Sequence, residues 1–192
     1  MKRIIMKKFV LILFVLSFTI LLAACGKDTS IVDGSTVWDT YTNSSFGIKH
    51  PEGWNMYPVE SEESGVLLYS FSEYEESVPT LIITQVKDVL DGATETEKAQ
   101  LIFDSRENLI ESYDDSGYSY TVLETGSSEI DGQLSYMVDF RIQDSSDSAR
   151  TIAYTTYYKN DVYIITFIDE DSNYENSVEI CGEMIDSIEF LN

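Results

Sequence analysis

An alternation of apolar and polar side chains runs through residues 133–143 and limits the folds that this chain can adopt. A period of two places the apolar residues on one face of an extended strand and the polar residues on the other. Asp131-Gly132, directly before the segment, is typical of a hairpin turn. We therefore predict a strand with one buried face and an antiparallel neighbour. The apolar face consists of Leu134, Tyr136, Val138, Phe140 and Ile142, and the polar face of Ser135, Asp139 and Arg141.

Further segments are predicted as strands because they are short, rich in apolar and β-branched residues, and separated by polar turns. Most of these turns are too short for a crossover connection, so neighbouring strands should pair antiparallel. Residues 162–168 are apolar on both faces, and we expect this strand to lie centrally in the sheet, covered on both sides. The segments are residues 36–42, 46–50, 66–71, 81–87, 118–124, 150–159 and 162–168.

Two other segments carry apolar residues at helical spacing. Thr94 to Glu97 has the spacing of a capping box, and Gly117 is suited to the end of the helix. Ser172 to Glu175 has the same spacing before the second segment. The first stripe, which Arg106 interrupts, consists of Ala99, Ile102, Phe103, Leu109, Ile110 and Tyr113, and the second of Tyr174, Val178, Cys181, Ile185 and Ile188.

The predicted order is four strands, a helix, four strands and a helix. Runs of strands that are each followed by a helix indicate an α+β domain, in which helices pack on an antiparallel β-sheet. The pattern starts at Thr36 and continues to Asn192. We therefore predict that residues 36–192 form a single domain.

Residues 1–24 are predicted to be a signal peptide. Residues 1–8 carry basic side chains and no acid, and residues 9–24 are almost purely apolar. This run is shorter than the about 20 residues that a membrane-spanning helix needs. It ends in Leu22-Ala23-Ala24-Cys25, which closely resembles the lipobox of bacterial lipoproteins.

The lipobox resemblance implies that Cys25 carries a diacylglyceryl group on its thiol and becomes the first residue of the mature protein. Two acyl chains meet the requirement for stable membrane anchoring. Residues 25–35 are mostly polar and are expected to form a flexible tether after the lipidated cysteine. We therefore expect a protein bound through its lipid to the extracytoplasmic face of the bacterial cell membrane. An uncleaved transmembrane anchor and a secreted protein with an incidental cysteine are the alternatives.

Acidic residues far outnumber basic ones. The chain has 12 Lys and Arg against 34 Asp and Glu, a formal net charge of −22. Nucleic-acid binding is not expected, because phosphate groups require clustered Lys and Arg. Anionic lipid headgroups would also be repelled, so the lipid rather than charge should hold the protein at the membrane.

Residues 46–54 read Phe-Gly-Ile-Lys-His-Pro-Glu-Gly-Trp. A strand of the form Phe-x-Ile-x-x-Pro-x-Gly-Trp near the start is similar to that of the PsbP-like and DcrB-like family. The strand at 162–168 and the helix after it, with Ile185, Ser187, Ile188 and Phe190, are similar as well. The resemblance covers residues 36–192. It implies an α/β sandwich with the order ββββ-α-ββββ-α and an accessory or binding role, with no shared catalytic motif.

Single residues offer little chemistry. His50 is the only histidine, so a Ser-His-Asp or Cys-His arrangement has no other imidazole, and we expect an ordinary polar side chain beside a turn. Cys181 lies on an apolar stripe and is expected to be a buried free thiol. Pro51, Gly53 and Trp54 should form a rigid corner, with Trp54 lining a ligand site as the alternative. No catalytic residue, metal ligand or cofactor is predicted.

The acidic turns and the tyrosines leave two further alternatives open. Asp169 to Glu175 places oxygens at alternate positions, as at the start of an EF-hand loop, but Tyr174 stands where that loop needs Gly and Ile180 where it needs Glu. A weak divalent-cation site there or at 144–147 is the alternative to solvated turns and a helix start. If several tyrosines of the second strand block share an exposed face, they would form a protein or glycan contact surface. These are Tyr118, Tyr120, Tyr136, Tyr154, Tyr157, Tyr158 and Tyr163.

Together these patterns predict a membrane-anchored lipoprotein that is not an enzyme and serves as an accessory or protein-interaction domain, with another envelope protein as partner. A small-ligand or divalent-cation-binding lipoprotein is the alternative. An enzyme would need a carboxylate buried near His50, or near tyrosines, with a strongly shifted pKa. The sequence predicts neither the identity of a ligand nor the oligomeric state.

Overall fold

A computed structural model of the chain describes residues 36–59, 65–74, 78–114, 119–143 and 148–191, apart from the side chains of Val59 and of 106–114. The predicted signal peptide at 1–24 and the tether at 25–35, including Cys25, lie outside the described residues. So do Gly117, Tyr118, the acidic turn at 144–147 and the side chain of Arg106.

Within the described residues the chain forms ten strands and two helices. In chain order the strands are β1 (Trp38–Thr42), β2 (Phe46–Pro51), β3 (Asn55–Val59), β4 (Val66–Ser72), β5 (Thr80–Val86), β6 (Ser119–Ile130), β7 (Gln133–Gln143), β8 (Ser148–Tyr158), β9 (Asp161–Glu170) and β10 (Glu189–Phe190). Helix α1 (Glu95–Asp114) lies between β5 and β6, and helix α2 (Tyr174–Asp186) lies between β9 and β10.

The strands form two antiparallel sheets. The larger has seven strands in the order β3-β4-β5-β9-β8-β7-β6, and the smaller has three in the order β1-β2-β10. β9 is the middle strand of the large sheet, and its residues from Val162 to Asp169 are all buried. The prediction that the strand at 162–168 is central and covered on both sides is thus confirmed.

The large sheet is covered on both faces. α1 packs against β6, β7 and β8 on one face. On the other face, α2 contacts β9 and β2, and the small sheet packs beside it. The main core fills the space between them, with Phe46 and Ile48 from β2, Phe167 from β9 and Met184 from α2. This arrangement confirms the predicted α+β class, with helices packed on an antiparallel sheet.

The predicted order misses two strands. β3 contains Pro58, which has no backbone N–H to donate to a neighbouring strand. The structure places β3 at the edge of the large sheet, where one side of the strand has no neighbour and needs no donor. β10 follows the last predicted helix and pairs with β2, with Phe190 opposite Phe46. A strand of two residues has too few positions to show a period. The observed order is five strands, α1, four strands, α2 and β10.

The strand predicted at 118–124 is longer in the structure. β6 continues to Ile130, which pairs with Gln133 across the hairpin turn. Gly126, Ser127 and Ser128 have weak strand propensity, and they are held extended because β7 offers a partner along its whole length. Pairing with a neighbour therefore overrides local preference here.

The two predicted helix starts differ. At α1 the Thr94 backbone N–H donates to Glu97 Oε2 over 3.0 Å, and the Glu97 N–H donates to Thr94 Oγ1 over 3.3 Å, which confirms the capping box. At α2 the capping residue is Asn173, whose side chain makes no capping hydrogen bond. The box predicted from Ser172 to Glu175 is therefore wrong, because the Glu175 carboxylate binds Arg150 of β8 instead.

Candidate functional site

Charged side chains meet around the buried Asp139 carboxylate, where the start of α2 lies beside β7 and β8. Arg150 of β8 donates from Nε to Asp139 Oδ1 over 3.1 Å and from Nη2 to Asp139 Oδ2 over 2.7 Å. Its Nη1 binds the Glu175 carboxylate, and its guanidinium carbon lies 4.3 Å from the centroid of the Tyr174 ring. We call Asp139, Arg150, Tyr174 and Glu175 the Arg150 cluster.

Register explains why these groups meet. Asp139 and Arg141 project to the same face of β7, and Arg141 lies directly opposite Arg150 in β8. Like charges opposite each other are unfavourable, but Asp171 binds Arg141 at 2.8 Å while Asp139 and Glu175 bind Arg150. The hydrogen bond to Asp139 raises the pKa of Arg150, so its charge is permanent. The cluster thus holds one guanidinium between two carboxylates.

A second polar group anchors α2 to β9. The Asp169 carboxylate is buried and accepts hydrogen bonds from Ser177 Oγ at 2.5 Å, from Asn173 Nδ2 at 2.7 Å and from the Glu170 N–H at 2.8 Å. Burial raises the pKa of Asp169, and the hydrogen bonds act in the opposite direction. The EF-hand-like string at 169–175 is thus used to attach a helix. No group of three or more metal-ligating side chains occurs among the described residues.

Phenol and thiol groups lie beside the Arg150 cluster. Burial, followed by the charges near it, raises the pKa of Tyr154 to about 12, and burial raises the pKa values of Tyr174 and Cys181. Cys181 is a buried free cysteine, as predicted. The Tyr174 hydroxyl is buried without a hydrogen-bond partner. Upward shifts keep these groups protonated at neutral pH, which is unsuited to a nucleophile or a general base.

The only histidine is buried. His50 follows Phe46 and Ile48 on the inward face of β2, and its ring centroid lies 5.9 Å from that of Phe71. Its Nδ1 lies 3.2 Å from the carbonyl oxygen of Pro51. His50 lies beside the turn at 52–53, as expected, and the alternation of β2 directs its ring towards the core.

The corner after β2 has the predicted structural role. The Trp54 N–H donates to the Pro51 carbonyl over 3.0 Å, and the Glu52 N–H donates to the Val37 carbonyl over 2.7 Å. Gly53 has a φ of 91°, a conformation that favours glycine. The Trp54 side chain packs against the main core. The corner thus closes one end of the sandwich.

A polar contact also joins the two sheets. Gln85 Nε2 of β5 donates to Asp161 Oδ2 over 2.6 Å, to the Tyr163 hydroxyl over 3.2 Å and to Ser45 Oγ over 3.2 Å. The Ser45 hydroxyl belongs to the turn before β2. This contact holds the small sheet against the large one.

The tyrosines of the second strand block do not form an exposed face among the described residues. Five of them are half-buried and one is fully buried, while Tyr118 lies outside the description. The half-buried residues are Tyr120, Tyr136, Tyr154, Tyr157 and Tyr158, and the buried one is Tyr163.

Sequence reasoning missed two features. The Arg150 cluster needs the β7–β8 register before its members can be brought together, and only the shared polar face of Asp139 and Arg141 signalled it. The second is an exposed apolar pair, Val122 and Leu123, on the outermost strand β6. An unbroken pair of aliphatic residues within a strand was the available signal. Among the described helices, neither has the length and apolarity to cross a membrane.

Comparisons with known proteins find similar solved structures. The solution structure of cyanobacterial PsbP (CyanoP) from Synechocystis sp. PCC 6803 is 13% identical, has a TM-score of 0.61, and covers 86% of this chain and 98% of its own. LpqN, a protein involved in cell envelope biogenesis of Mycobacterium tuberculosis, is 8% identical with a TM-score of 0.49, covering 85% of this chain and 88% of its own. No curated protein matches the sequence.

The PsbP family model matches residues 37–190, which extend from just before β1 to the end of β10. The match includes the Pro51-Glu52-Gly53-Trp54 corner, the central strand β9 and both helices. The chain belongs to the PsbP family.

Proposed function

We propose that this protein is a lipoprotein of the bacterial envelope, anchored through Cys25 to the extracytoplasmic face of the membrane, whose PsbP domain is a non-enzymatic accessory module that binds another envelope protein. The predicted signal peptide and the lipobox-like Leu22-Ala23-Ala24-Cys25 support the proposed location. The tether at 25–35 gives the domain the reach to meet a partner close to the membrane.

The state of the polar groups supports a binding role over a catalytic one. In the described residues, the half-buried Arg150 is bound by Asp139 and Glu175, and the buried Asp169 carboxylate is bound by three donors. A catalytic group needs a free position facing substrate and a pKa suited to proton transfer. These groups instead attach α2 to the sheet. The surface that remains for function is the exterior of the sandwich and its open strand edges.

Anchoring is tested by comparing the full-length protein with its Cys25→Ala variant in a bacterial host. We expect the unsubstituted protein to fractionate with membranes and to incorporate labelled fatty acid, and the variant to incorporate none. A Cys25→Ala protein that still carries acyl chains would contradict the proposed attachment site. A Cys181→Ala variant is the matched control, because it removes the other cysteine and should leave acylation unchanged.

The accessory role is tested by a thermal-shift screen of the same protein against divalent cations, sugars, amino acids and peptides. A stabilising response to a cation or a sugar, with no response to peptides, would favour the small-ligand alternative. A response confined to peptides is the result expected for a protein-interaction module.

A further inference from the structure

The two edges of the seven-stranded sheet differ in a way that points to a use for one of them. β3, at one edge, has five residues and contains Pro58. A short edge strand with a proline is a common protection against unwanted strand pairing. β6, at the other edge, has twelve residues with no proline, lysine or arginine. Its outer side is paired with no other strand of the described chain.

Apolar side chains accompany the open edge of β6. Val122 is 37% exposed and Leu123 is 41% exposed. Val122 lies opposite Phe140 on the face that α1 covers, and Phe103 of α1 is likewise exposed on that side. An added strand would therefore gain backbone hydrogen bonds along β6 and burial against these side chains.

Leu123 marks the one irregularity in the β6–β7 pairing. The register shifts between Val122 and Glu124, which leaves Leu123 without a partner residue in β7. A bulge displaces the strand locally and re-aims the side chain at that position. Here it brings two consecutive aliphatic side chains to the exposed edge.

Charge decides which kind of strand fits. Glu124 and Glu129 are the charged residues of β6, and both are exposed. They lie on opposite faces of the sheet, since Glu124 is opposite Asp139 and Glu129 is opposite Leu134. A second copy of the chain would bring the same acids into the seam, on a body of net charge −22. A strand with basic side chains would bring opposite charges.

We propose that the outer edge of β6 is a docking site for an extended segment of another envelope protein, which combines aliphatic residues with a basic residue on each face and adds to the sheet as an eighth strand. This inference rests on the proposed role as a protein-interaction module and names its surface and the chemistry of its partner. Main-chain hydrogen bonds supply the pairing, Val122 and Leu123 the apolar contact, and Glu124 and Glu129 the charge preference.

The test uses the full-length protein in detergent micelles and a short synthetic peptide of Val with two Lys residues about five positions apart, so that one Lys lies on each face of the added strand. Binding is followed by fluorescence anisotropy, and amide hydrogen exchange locates the bound peptide. We expect saturable binding with slower exchange of β6 amides. Controls are the peptide with Glu in place of Lys, and the peptide with Pro at alternate positions, which lacks the donors for pairing. Both should bind at least about tenfold more weakly.

Matched variants separate a specific edge from a merely acidic surface. Val122→Ser with Leu123→Ser should weaken binding at least about fivefold, whereas Leu67→Ser should change it less than about twofold. Leu67 is 37% exposed on β4, so it matches the removed side chains in exposure. Glu124→Gln with Glu129→Gln should weaken binding more than Glu179→Gln with Glu183→Gln, which removes two exposed acids from α2. Thermal melts of each variant confirm that it is folded.

Several outcomes would overturn the proposal. Equal effects of the two glutamate pairs, without protection of β6, would mean that the peptide binds to net charge alone. Protection of β6 that rises with protein concentration would identify a second copy as the occupant. Protection of β6 amides in the absence of peptide that is lost on deletion of residues 26–35 would identify the chain's own tether as the occupant of the edge. None of these results concerns acylation of Cys25, so the proposed lipid anchor and the proposed docking edge are tested independently.

Discussion

The guanidinium carbon of Arg150 lies 4.3 Å from the centroid of the Tyr174 ring, so a cation of β8 stacks on the first residue of α2. The same guanidinium binds Asp139 of β7 through two hydrogen bonds. Three elements, β7, β8 and α2, therefore meet at one side chain. A cation over an aromatic face adds to the attraction that charge pairing supplies.

Substituting Asp139 should be costly for stability. Asp139→Asn removes the anion that compensates Arg150, whose side chain is only 22% exposed. We expect the free energy of unfolding to fall by about 1–3 kcal/mol, because the half-buried guanidinium loses a charged partner held by two hydrogen bonds and keeps only the exposed Glu175. Urea denaturation followed by circular dichroism measures the change.

Arg141→Met is the matched control for that substitution. Arg141 pairs with Asp171, but its side chain is 42% exposed, so the loss should be within about 1 kcal/mol. Equal losses for Asp139→Asn and Arg141→Met would show that burial does not distinguish the two pairs.

Stability should decline in alkali more steeply than for a protein with exposed tyrosines. The raised pKa values of Tyr154, Tyr174 and Cys181 keep these groups protonated in the folded state. In the unfolded chain, thiols ionise near about pH 8.5 and phenols near about pH 10. The contribution of these groups to the free energy of unfolding is therefore fully present below those pH values. It is lost as the pH rises towards the folded-state pKa, which for Tyr154 is about 12.

Urea midpoints between about pH 8 and pH 11 test this linkage. The decline should be shallower in Tyr154→Phe, since phenylalanine cannot ionise. An unchanged slope in Tyr154→Phe, Tyr174→Phe and Cys181→Ala together would contradict the assignment of the effect to these groups.

The capping box at α1 predicts a small and specific loss. Thr94→Ala removes the hydroxyl that accepts from the Glu97 N–H, and should cost about 1 kcal/mol. Thr96→Ala, two residues later in an exposed position of the first turn, removes a hydroxyl without a capping role and should be close to neutral. A loss at Thr96 as large as that at Thr94 would be inconsistent with the cap.

The corner residue Trp54 should matter for folding. Trp54→Ala removes a half-buried indole from the main core and should lower the free energy of unfolding by about 2–3 kcal/mol. Val37→Ala is the control, since the Val37 backbone joins the same corner while its side chain is exposed. A Trp54→Ala protein of unchanged stability would favour the alternative in which Trp54 lines a ligand site.

Sequence patterns predicted those elements whose residues carry a complete period. The alternation of Leu134 to Ile142 gave β7 its observed bounds, Gln133–Gln143. The two-sided apolarity of Val162 to Ile168 placed β9 at the centre of the sheet. The predicted single buried face of β7 is wrong, because Ser135 and Asp139 on its polar face are buried as well, since both faces of the large sheet are covered.

Other features depend on how the elements pair in the folded protein. β3 was not predicted because it contains Pro58, and a proline argues against a strand unless the strand is known to lie at the edge of a sheet. Phe190 belongs to a strand only through its pairing with Phe46. Asp139 and Arg150 become a bound pair only once β7 and β8 are in register. Nothing in a linear pattern fixes such pairings.

The most direct test of the account is mass spectrometry of the amino terminus of the full-length gene product recovered from bacterial membranes. The account predicts a mature chain that begins at Cys25 and carries a diacylglyceryl group on its thiol. A protein that still begins at Met1 and has no acyl group on Cys25 would contradict it.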